Sequence, residues 1–137
     1  MILRTDVDRE LYEKIRRLWV LTDIERPERG DVWEVALETL KKGGAILSLW
    51  EGDAVLGALW ITDDGRRLYL HHMAVHPDHR RKGLGRRLLK EGLAMARRLG
   101  RQPKLEVHET NLGARELYSG EGFTDLEGYV VMINRRP

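Results

Sequence analysis

The chain has 137 residues, 42% of them hydrophobic, which is enough for one compact domain with its own core. It has no cysteine, which excludes disulfide bonds, thiolate metal sites and a cysteine nucleophile. The net charge of +2 does not indicate a nucleic-acid-binding protein, and no segment resembles a signal peptide or a membrane span. We therefore expect one domain over residues 1–137, located in the cytoplasm, with neither nucleic acid nor membrane as a partner.

The N-terminal third predicts one short strand and two helices. Residues 1–4 form the strand, and apolar residues at helical spacing predict an amphipathic helix over about residues 8–21. Asp31 with Glu34 three residues later resembles a capping box, so a second helix is predicted from there to about Lys41.

Two hairpins are predicted next, and helices then alternate with strands. Apolar strands over residues 45–50 and 54–61 flank the turn Glu51-Gly52-Asp53, and Asp64-Gly65 is a strong turn signal. The strand that follows it covers about residues 67–75. The remaining predicted elements are a helix over 83–99, a strand over 104–108, a helix over 111–119, and strands over 123–126 and 129–133. The order is that of a mixed α/β domain.

A glycine-bearing turn separates the strand ending at Val75 from the next helix, with the pattern Arg80-x-x-Gly83-x-Gly85. Such a turn exposes several backbone N–H groups at a helix N-terminus, where a phosphate is favoured. Glycine removes the Cβ atom where the backbone must approach a ligand closely. The pattern is neither a Walker loop nor a dinucleotide fingerprint. It therefore predicts a pyrophosphate-binding turn that belongs to neither of these two types.

The residues before this turn read Met73-Ala74-Val75-His76-Pro77. Together with the turn they resemble the coenzyme A signature of the GNAT superfamily of N-acetyltransferases. The resemblance implies that the backbone of Met73 and Val75 pairs with the pantetheine arm and that the turn holds the pyrophosphate. The implied coenzyme-binding residues are Met73, Ala74, Val75, Arg80, Arg81, Lys82, Gly83, Leu84, Gly85, Arg86, Asn111 and Tyr118.

Residues 104–123 resemble a second GNAT block, with Leu-Glu-Val, then Asn, Ala, Leu-Tyr and Gly-Phe. The resemblance implies that Tyr118 is the general acid beside the coenzyme sulfur and that Asn111 hydrogen-bonds the pantetheine arm. Asn111 is also suited to cap its helix. In the ribosomal-protein alanine N-acetyltransferase branch the glutamate of this block is the base, which here is Glu106.

The identity of the base stays open between two residues. Glu106 alternates with apolar neighbours, so it also fits the polar face of a half-buried strand. The strand before the turn has no carboxylate, and His71 is the rival base, since some small-amine branches use histidine there. His71 and His72 are consecutive, so we expect only one of them to face the cleft. The alternation of the histidines before the turn argues against a zinc site, and no metal is expected.

The sequence therefore predicts an acetyl-CoA-dependent N-acetyltransferase that moves the acetyl group directly to a primary amine, either of a small molecule or of a peptide N-terminus or lysine. The alternative is a catalytically silent acyl-CoA-binding regulatory domain. A nucleic-acid-binding role for the basic residues 80–90 is disfavoured, because no aromatic residue interleaves with them. The implied GNAT fold is a mixed, mostly antiparallel sheet of six to seven strands with four helices, and a homodimer is compatible with it.

Overall fold

The computed structural model describes all 137 residues, which form five β-strands and four α-helices. The chain divides into two compact units, residues 1–106 and residues 107–137. Short 3₁₀ turns at Pro27–Arg29 and Pro77–His79 lie within the first unit. The elements are β1 (Ile2–Arg4), α1 (Arg9–Leu21), α2 (Trp33–Lys41), β2 (Ala45–Glu51), β3 (Ala54–Asp63), β4 (Arg67–Val75), α3 (Leu84–Leu99), β5 (Gln102–Leu105) and α4 (Leu112–Gly120).

The five strands form one mixed sheet in the order β1-β2-β3-β4-β5. Neighbouring strands from β1 to β4 run antiparallel, whereas β4 and β5 are parallel and are joined through α3. A parallel pair needs such a crossover, because the chain must return to the opposite end of the sheet before the second strand begins. The predicted mixed α/β order with four helices is confirmed. The predicted count of six to seven strands is wrong, since the sheet has five.

The two faces of the sheet are covered by different helices. Side chains of β2 and β3 alternate between the faces. Ile46, Ala58 and Trp60 belong to a core cluster with residues of α1 and α2. On the opposite face, α3 approaches so closely that a Cβ atom on Gly92 would lie 3.4 Å from the Leu59 side chain. No helix of the chain is both long enough and apolar enough to cross a membrane.

The buried tryptophans of the first unit each have a partner for the indole N–H. Trp50 Nε1 donates to Ser48 Oγ at 2.7 Å, and Trp60 Nε1 donates to Thr39 Oγ1 at 3.1 Å. Trp19, which is fully buried, donates from Nε1 to the backbone oxygen of His72 at 2.9 Å. A buried indole left without an acceptor would cost about 1–3 kcal/mol. The third of these bonds ties the core to β4, where the candidate site lies.

Three of the predicted strands differ from the structure. Residues 123–126 and 129–133 form no strand, and the apolar side chains of the second segment are exposed, with Met132 at 86%. Strand propensity depends on a neighbour to pair with, and these residues have none. The strand predicted over 104–108 lies at Gln102–Leu105, where Pro103 is tolerated because β5 is an edge strand.

The capping box predicted at the start of α2 is also wrong. The N-cap of α2 is Val32, and no side chain caps the helix. Asp31 instead accepts a hydrogen bond from the backbone N–H of Arg26 at 2.7 Å and contacts the ring of His72. Its carboxylate therefore serves the candidate site and not the helix.

Candidate active site

The glycine turn lies between β4 and α3, as predicted. Gly83 is the N-cap of α3 with φ of 79°, and Arg81 has φ of 62°, so both adopt left-handed backbone conformations. The first amide bonded within the helix is that of Arg87, which donates to the Gly83 carbonyl at 3.0 Å. The amides of Leu84 and Gly85, at the first two helical positions, therefore have no carbonyl acceptor within the helix. No side chain caps α3, and a Cβ atom on Gly83 would meet nothing within 4 Å.

Basic side chains surround the N-terminus of α3. Arg80, Arg81 and Lys82 are exposed, and Arg80 donates from Nε to the Val75 carbonyl at 3.3 Å, which links the turn to the end of β4. The Leu84 side chain is buried in the core, so only its amide faces outward. Backbone donors, a positive helix end and cationic side chains together suit a pyrophosphate.

Strand β4 has neighbours on both sides only in its first half. It pairs with β3 as far as Val75, but its pairing with β5 ends where Leu70 lies beside Leu105. Residues 71–75 therefore present one backbone edge with no neighbouring strand. Such an edge binds an extended ligand through its N–H and C=O groups. The predicted pantetheine contacts of residues 73–75 fall on this edge.

His71 and His72 line the same cavity, although consecutive strand residues normally face opposite sides. The register of β3 against β4 shifts between Ala58 and Trp60, and His72 has φ of 56°. This bulge turns the second histidine toward the side of the first. The expectation that only one histidine faces the cleft is therefore wrong. The cavity has a volume of about 440 Å³, and its wall includes Asp31, Thr39, Trp60, Thr62, His71 and His72.

The ring of His72 is held by a nearly buried carboxylate. His72 Nε2 lies 2.8 Å from Asp31 Oδ2, and Asp31 is 9% exposed. An ionised carboxylate only accepts hydrogen bonds, so the proton of this bond belongs to His72 Nε2. Edge contacts with Trp19 and Trp60, at ring-centroid distances of 5.3 and 5.7 Å, fix the ring from its other sides.

His71 has a different environment. Its Nε2 lies 2.9 Å from Thr62 Oγ1, and its ring stacks on Tyr69 at a centroid distance of 6.1 Å. The ring stays partly open to solvent, yet desolvation by the surrounding protein lowers the pKa of His71, and His72 lowers it further. Glu106 has the opposite and smaller effect on the same pKa. His71 is therefore a neutral imidazole at pH 7, able to accept a proton.

Glu106 follows β5 directly and is exposed. Because the strand ends at Leu105, the alternation argument for a half-buried Glu106 does not apply. It is close enough to influence the titration of His71, but it does not line the cavity that holds the two histidines. Sequence reasoning named Glu106 and His71 as rival bases, and these two residues lie within electrostatic reach of each other.

The second unit carries the other two predicted residues. Asn111 is the N-cap of α4, and its Oδ1 accepts from the Ala114 amide at 3.2 Å. Tyr118 is half-buried, and its ring meets Phe123 edge-on at a centroid distance of 5.9 Å. Burial raises the pKa of Tyr118. The hydroxyl is therefore protonated throughout the neutral range, as a general acid requires.

Replacing Asn111 with alanine is expected to lower the free energy of unfolding by about 1 kcal/mol, because the amide of Ala114 loses its acceptor. Urea denaturation followed by circular dichroism measures the change. Glu116→Ala, at an exposed position of the same helix, is the control and should change stability by less than about 0.5 kcal/mol. Equal stability of the two variants would contradict the capping role.

Sequence reasoning did not connect the two histidines with the carboxylate and the hydroxyl group that they contact. Asp31 is 41 residues from His72 in sequence, and Thr62 is nine residues from His71. The one available signal was an acidic residue at the start of α2, which fitted a helix cap equally well. No three His, Asp or Glu side chains converge in an arrangement that could hold a metal ion.

Comparison with protein families matches residues 10–123 to the acetyltransferase (GNAT) family. Among curated proteins, the chain is similar to a mycothiol acetyltransferase of Geodermatophilus obscurus, with 41% identity over 83 residues. That match covers 55% of this chain and 27% of the relative, so the chain spans about a quarter of the relative's length.

Among solved structures, the chain is similar to AAC(6')-Iy in complex with the bisubstrate analog CoA-S-monomethyl-acetylneamine. The TM-score is 0.80 at 16% identity, covering 99% of this chain and 98% of that one. A GNAT acetyltransferase from Streptococcus pneumoniae TIGR4 gives a TM-score of 0.73 at 24% identity, covering 98% and 97%. These likenesses confirm the predicted fold.

Proposed function

Because the chain belongs to the acetyltransferase (GNAT) family, we propose that residues 1–137 act as one domain that transfers an acetyl group from acetyl-CoA directly to a primary amine. Acetyl-CoA is the donor that this family uses. The observation that supports the proposal most is the continuity of the free β4 edge with the glycine turn. Together they offer one surface for an extended arm that ends in a pyrophosphate.

The residues present fit this co-substrate. The amides at the start of α3, with Arg80, Arg81 and Lys82, would hold the phosphates, and the backbone of residues 73–75 would pair with the pantetheine arm. When bound, the coenzyme supplies a thioester whose carbonyl carbon an amine can attack. The open space over Gly83 leaves room for the phosphates.

The proposed chemistry needs a base and an acid. A lysine-type amine is protonated at pH 7, and removing its proton costs about 4.6 kcal/mol. His71 and Glu106 are the bases that the sequence supplies, and the lowered pKa of His71 is consistent with a neutral acceptor. Tyr118 is the proposed acid for the departing sulfur, and its raised pKa is consistent with a protonated hydroxyl. Asn111 is proposed to hydrogen-bond the pantetheine arm.

A small-molecule amine is the substrate class that we propose. A cavity of about 440 Å³ suits a small ligand better than a folded protein surface. The relatives named above point the same way, since one is a mycothiol acetyltransferase and the other was solved with an acetylneamine analog. A peptide N-terminus or lysine is the second class, and both belong in the test.

Calorimetric titration with acetyl-CoA tests the coenzyme site. We expect micromolar binding by the intact protein and a loss of about tenfold or more in Gly83→Asn, whose side chain would occupy the space over the turn. Gly100→Asn is the matched control, because Gly100 ends the same helix with φ of 69° and also has open space around it. Asparagine tolerates this backbone region, so both variants should fold.

The control variant should bind acetyl-CoA as the intact protein does. Equal affinities of the two variants would show that the turn does not hold the coenzyme. A second assay measures the release of free thiol from acetyl-CoA in the presence of neamine, spermidine, lysine or a peptide that begins with alanine. It distinguishes an enzyme from a silent acyl-CoA-binding domain. Binding without thiol release for any amine would favour the silent domain.

A further inference from the structure

We propose that His72, oriented by Asp31, is the group that takes the proton from the acceptor amine. This inference rests on the acetyltransferase function proposed above and selects a base that the sequence motifs do not name. His72 would be a catalytic residue, and Asp31 would be a positioning residue that acts through it. Three features of the first unit support this role: the carboxylate contact, the backbone conformation of His72 and the cavity.

The carboxylate contact fixes which nitrogen is free. His72 Nε2–H donates a hydrogen bond to Asp31 Oδ2 at 2.8 Å, so Nδ1 of the neutral ring carries the lone pair. His72 Nδ1 has no hydrogen-bond partner in the protein, and it is not among the buried unpartnered atoms. An imidazole ring that donates from one nitrogen to a carboxylate, and whose other nitrogen is unprotonated and has no partner, can accept a proton at that second nitrogen.

The backbone of His72 is held in an unfavourable conformation. Its φ of 56° lies in the left-handed region, which a histidine adopts at a cost. The Trp19 indole donates to the His72 carbonyl, and Asp31 holds the ring, so the core and the loop together maintain this conformation. Without the bulge the ring would lie on the opposite face of the sheet, away from the cavity.

The cavity places His72 where an amine can reach it. Its wall combines the His72 ring with the Trp60 indole and the Thr39 and Thr62 side chains, while the coenzyme edge is the same strand, β4. An amine bound in the cavity would therefore lie against the strand that holds the thioester arm. This shared strand brings the acceptor and the donor to one place.

Few charged or titratable groups surround the His72 ring. Asp31, Arg26 and Arg29 come from the loop between α1 and α2, and His71 comes from β4. The packed residues Trp19 of α1 and Trp60 of β3 carry no charge. Asp31, at 2.8 Å, is therefore the carboxylate in direct contact with the His72 ring. His71 has no such carboxylate contact, since its hydrogen-bond partner is the Thr62 hydroxyl.

His72 Nδ1 accepts one proton from the ammonium form of the substrate, which gives an amine with a free electron pair. The amine nitrogen forms a bond to the acetyl carbonyl carbon, and the carbon–sulfur bond breaks with its electron pair leaving on sulfur. The second proton lost from nitrogen ends on that sulfur, for which Tyr118 is the proposed acid. His72 then returns its proton to solvent.

The first test is the pH dependence of kcat/KM, measured with whichever amine of the panel named above (neamine, spermidine, lysine and the peptide) reacts fastest. In the intact protein kcat/KM should rise with pH, because a general base acts only in its unprotonated form. His72→Asn keeps a residue that tolerates the left-handed backbone but removes the base. We expect kcat to fall about 10–100-fold. The rise of kcat/KM should move to higher pH, toward the pKa of the free amine, which is about 10 for an alkylamine. The affinity for acetyl-CoA should be unchanged.

Asp31→Asn tests the positioning role. An asparagine oxygen can still accept the Arg26 amide, but the charge facing His72 is lost. We expect about a tenfold fall in kcat with a displaced pH profile, and no change for Asp23→Asn, which removes an exposed carboxylate from the same loop. A long-range ¹H–¹⁵N spectrum of the free protein should show the His72 proton on Nε2, and Asp31→Asn should weaken that preference.

Two failures are distinguishable. If the intact protein neither binds acetyl-CoA nor acetylates any amine of the panel, the proposed function fails. If the intact protein is active and His72→Asn keeps its kcat and its pH profile, this inference alone fails, and His71 or Glu106 is the base. A His72 proton found on Nδ1 would overturn the inference without any amine substrate.

Discussion

Replacing Tyr118 with phenylalanine is expected to lower kcat about 100-fold while leaving the affinity for acetyl-CoA within about twofold. The ring contact with Phe123 is kept, and the hydroxyl has no hydrogen-bond partner in the protein, so the variant should fold normally. What is lost is the proton for the departing sulfur, which makes the carbon–sulfur bond harder to break. A 100-fold loss corresponds to about 2.7 kcal/mol in the activation barrier. Steady-state release of free thiol measures it.

The pH dependence gives a second readout of the same residue. A general acid must be protonated to act, and burial raises the pKa of Tyr118 above its ordinary value near 10. The intact protein should therefore keep its kcat up to about pH 9.5, with no fall caused by loss of the tyrosine proton. A fall in kcat centred near pH 8 would contradict this assignment.

Tyr12→Phe is the matched control for this substitution. The Tyr12 hydroxyl is buried without a hydrogen-bond partner, and it belongs to none of the proposed catalytic groups. Removing it should leave kcat unchanged and stability equal or higher. If both tyrosine variants lost activity equally, the effect of Tyr118→Phe would reflect packing and not proton transfer.

The parts of the fold that the sequence predicted correctly depend on short-range patterns. Helix α1 follows from Leu11, Ile15, Leu18 and Trp19 at helical spacing, and its N-cap is Asp8, whose carboxylate accepts the Leu11 amide. The hairpin between β3 and β4 follows from its Asp-Gly pair. The glycine turn follows from a pattern that spans only six residues. In each case the residues that decide the structure are neighbours in the chain.

The errors fall where structure depends on distant partners. Residues 129–133 have the β-branched and apolar composition of a strand, but a strand exists only with a neighbour, which no local pattern encodes. The bulge in β4 is also invisible, because it appears only as a register shift against β3. As a result, the period-two rule placed His71 and His72 on opposite faces, and the structure places both on one cavity.

Asp31 illustrates how a local interpretation can displace a distant one. Its position ahead of α2 fitted a capping box with Glu34, which is a frequent arrangement. The structure uses the carboxylate for His72, 41 residues away, and leaves α2 without a side-chain cap. A helix that gives up a cap loses about 1 kcal/mol. The absence of this stabilisation is consistent with a role for the Asp31 carboxylate in the cavity, where it contacts His72, and not in capping α2.

The largest loss of stability is expected for Trp19→Ala, at about 3–5 kcal/mol. Trp19 is fully buried, and its ring stacks on Trp60 at a centroid distance of 5.7 Å. Truncation leaves a cavity in the core and removes the hydrogen bond to the His72 carbonyl. A typical domain is stable by only about 5–15 kcal/mol, so a large part of the folding free energy would be lost. Urea denaturation measures the change.

Two further variants separate packing from hydrogen bonding at this residue. Trp19→Phe keeps an aromatic ring but removes the hydrogen bond to the His72 carbonyl, so an intermediate loss of about 1–3 kcal/mol is expected. Val20→Ala, at the neighbouring exposed position, should cost less than about 0.5 kcal/mol. If the folded Trp19→Phe protein also loses kcat, the indole bond holds the His72 backbone in its active conformation. If its kcat is unchanged, Asp31 alone is sufficient to orient the ring, and the bond to Trp19 serves only stability.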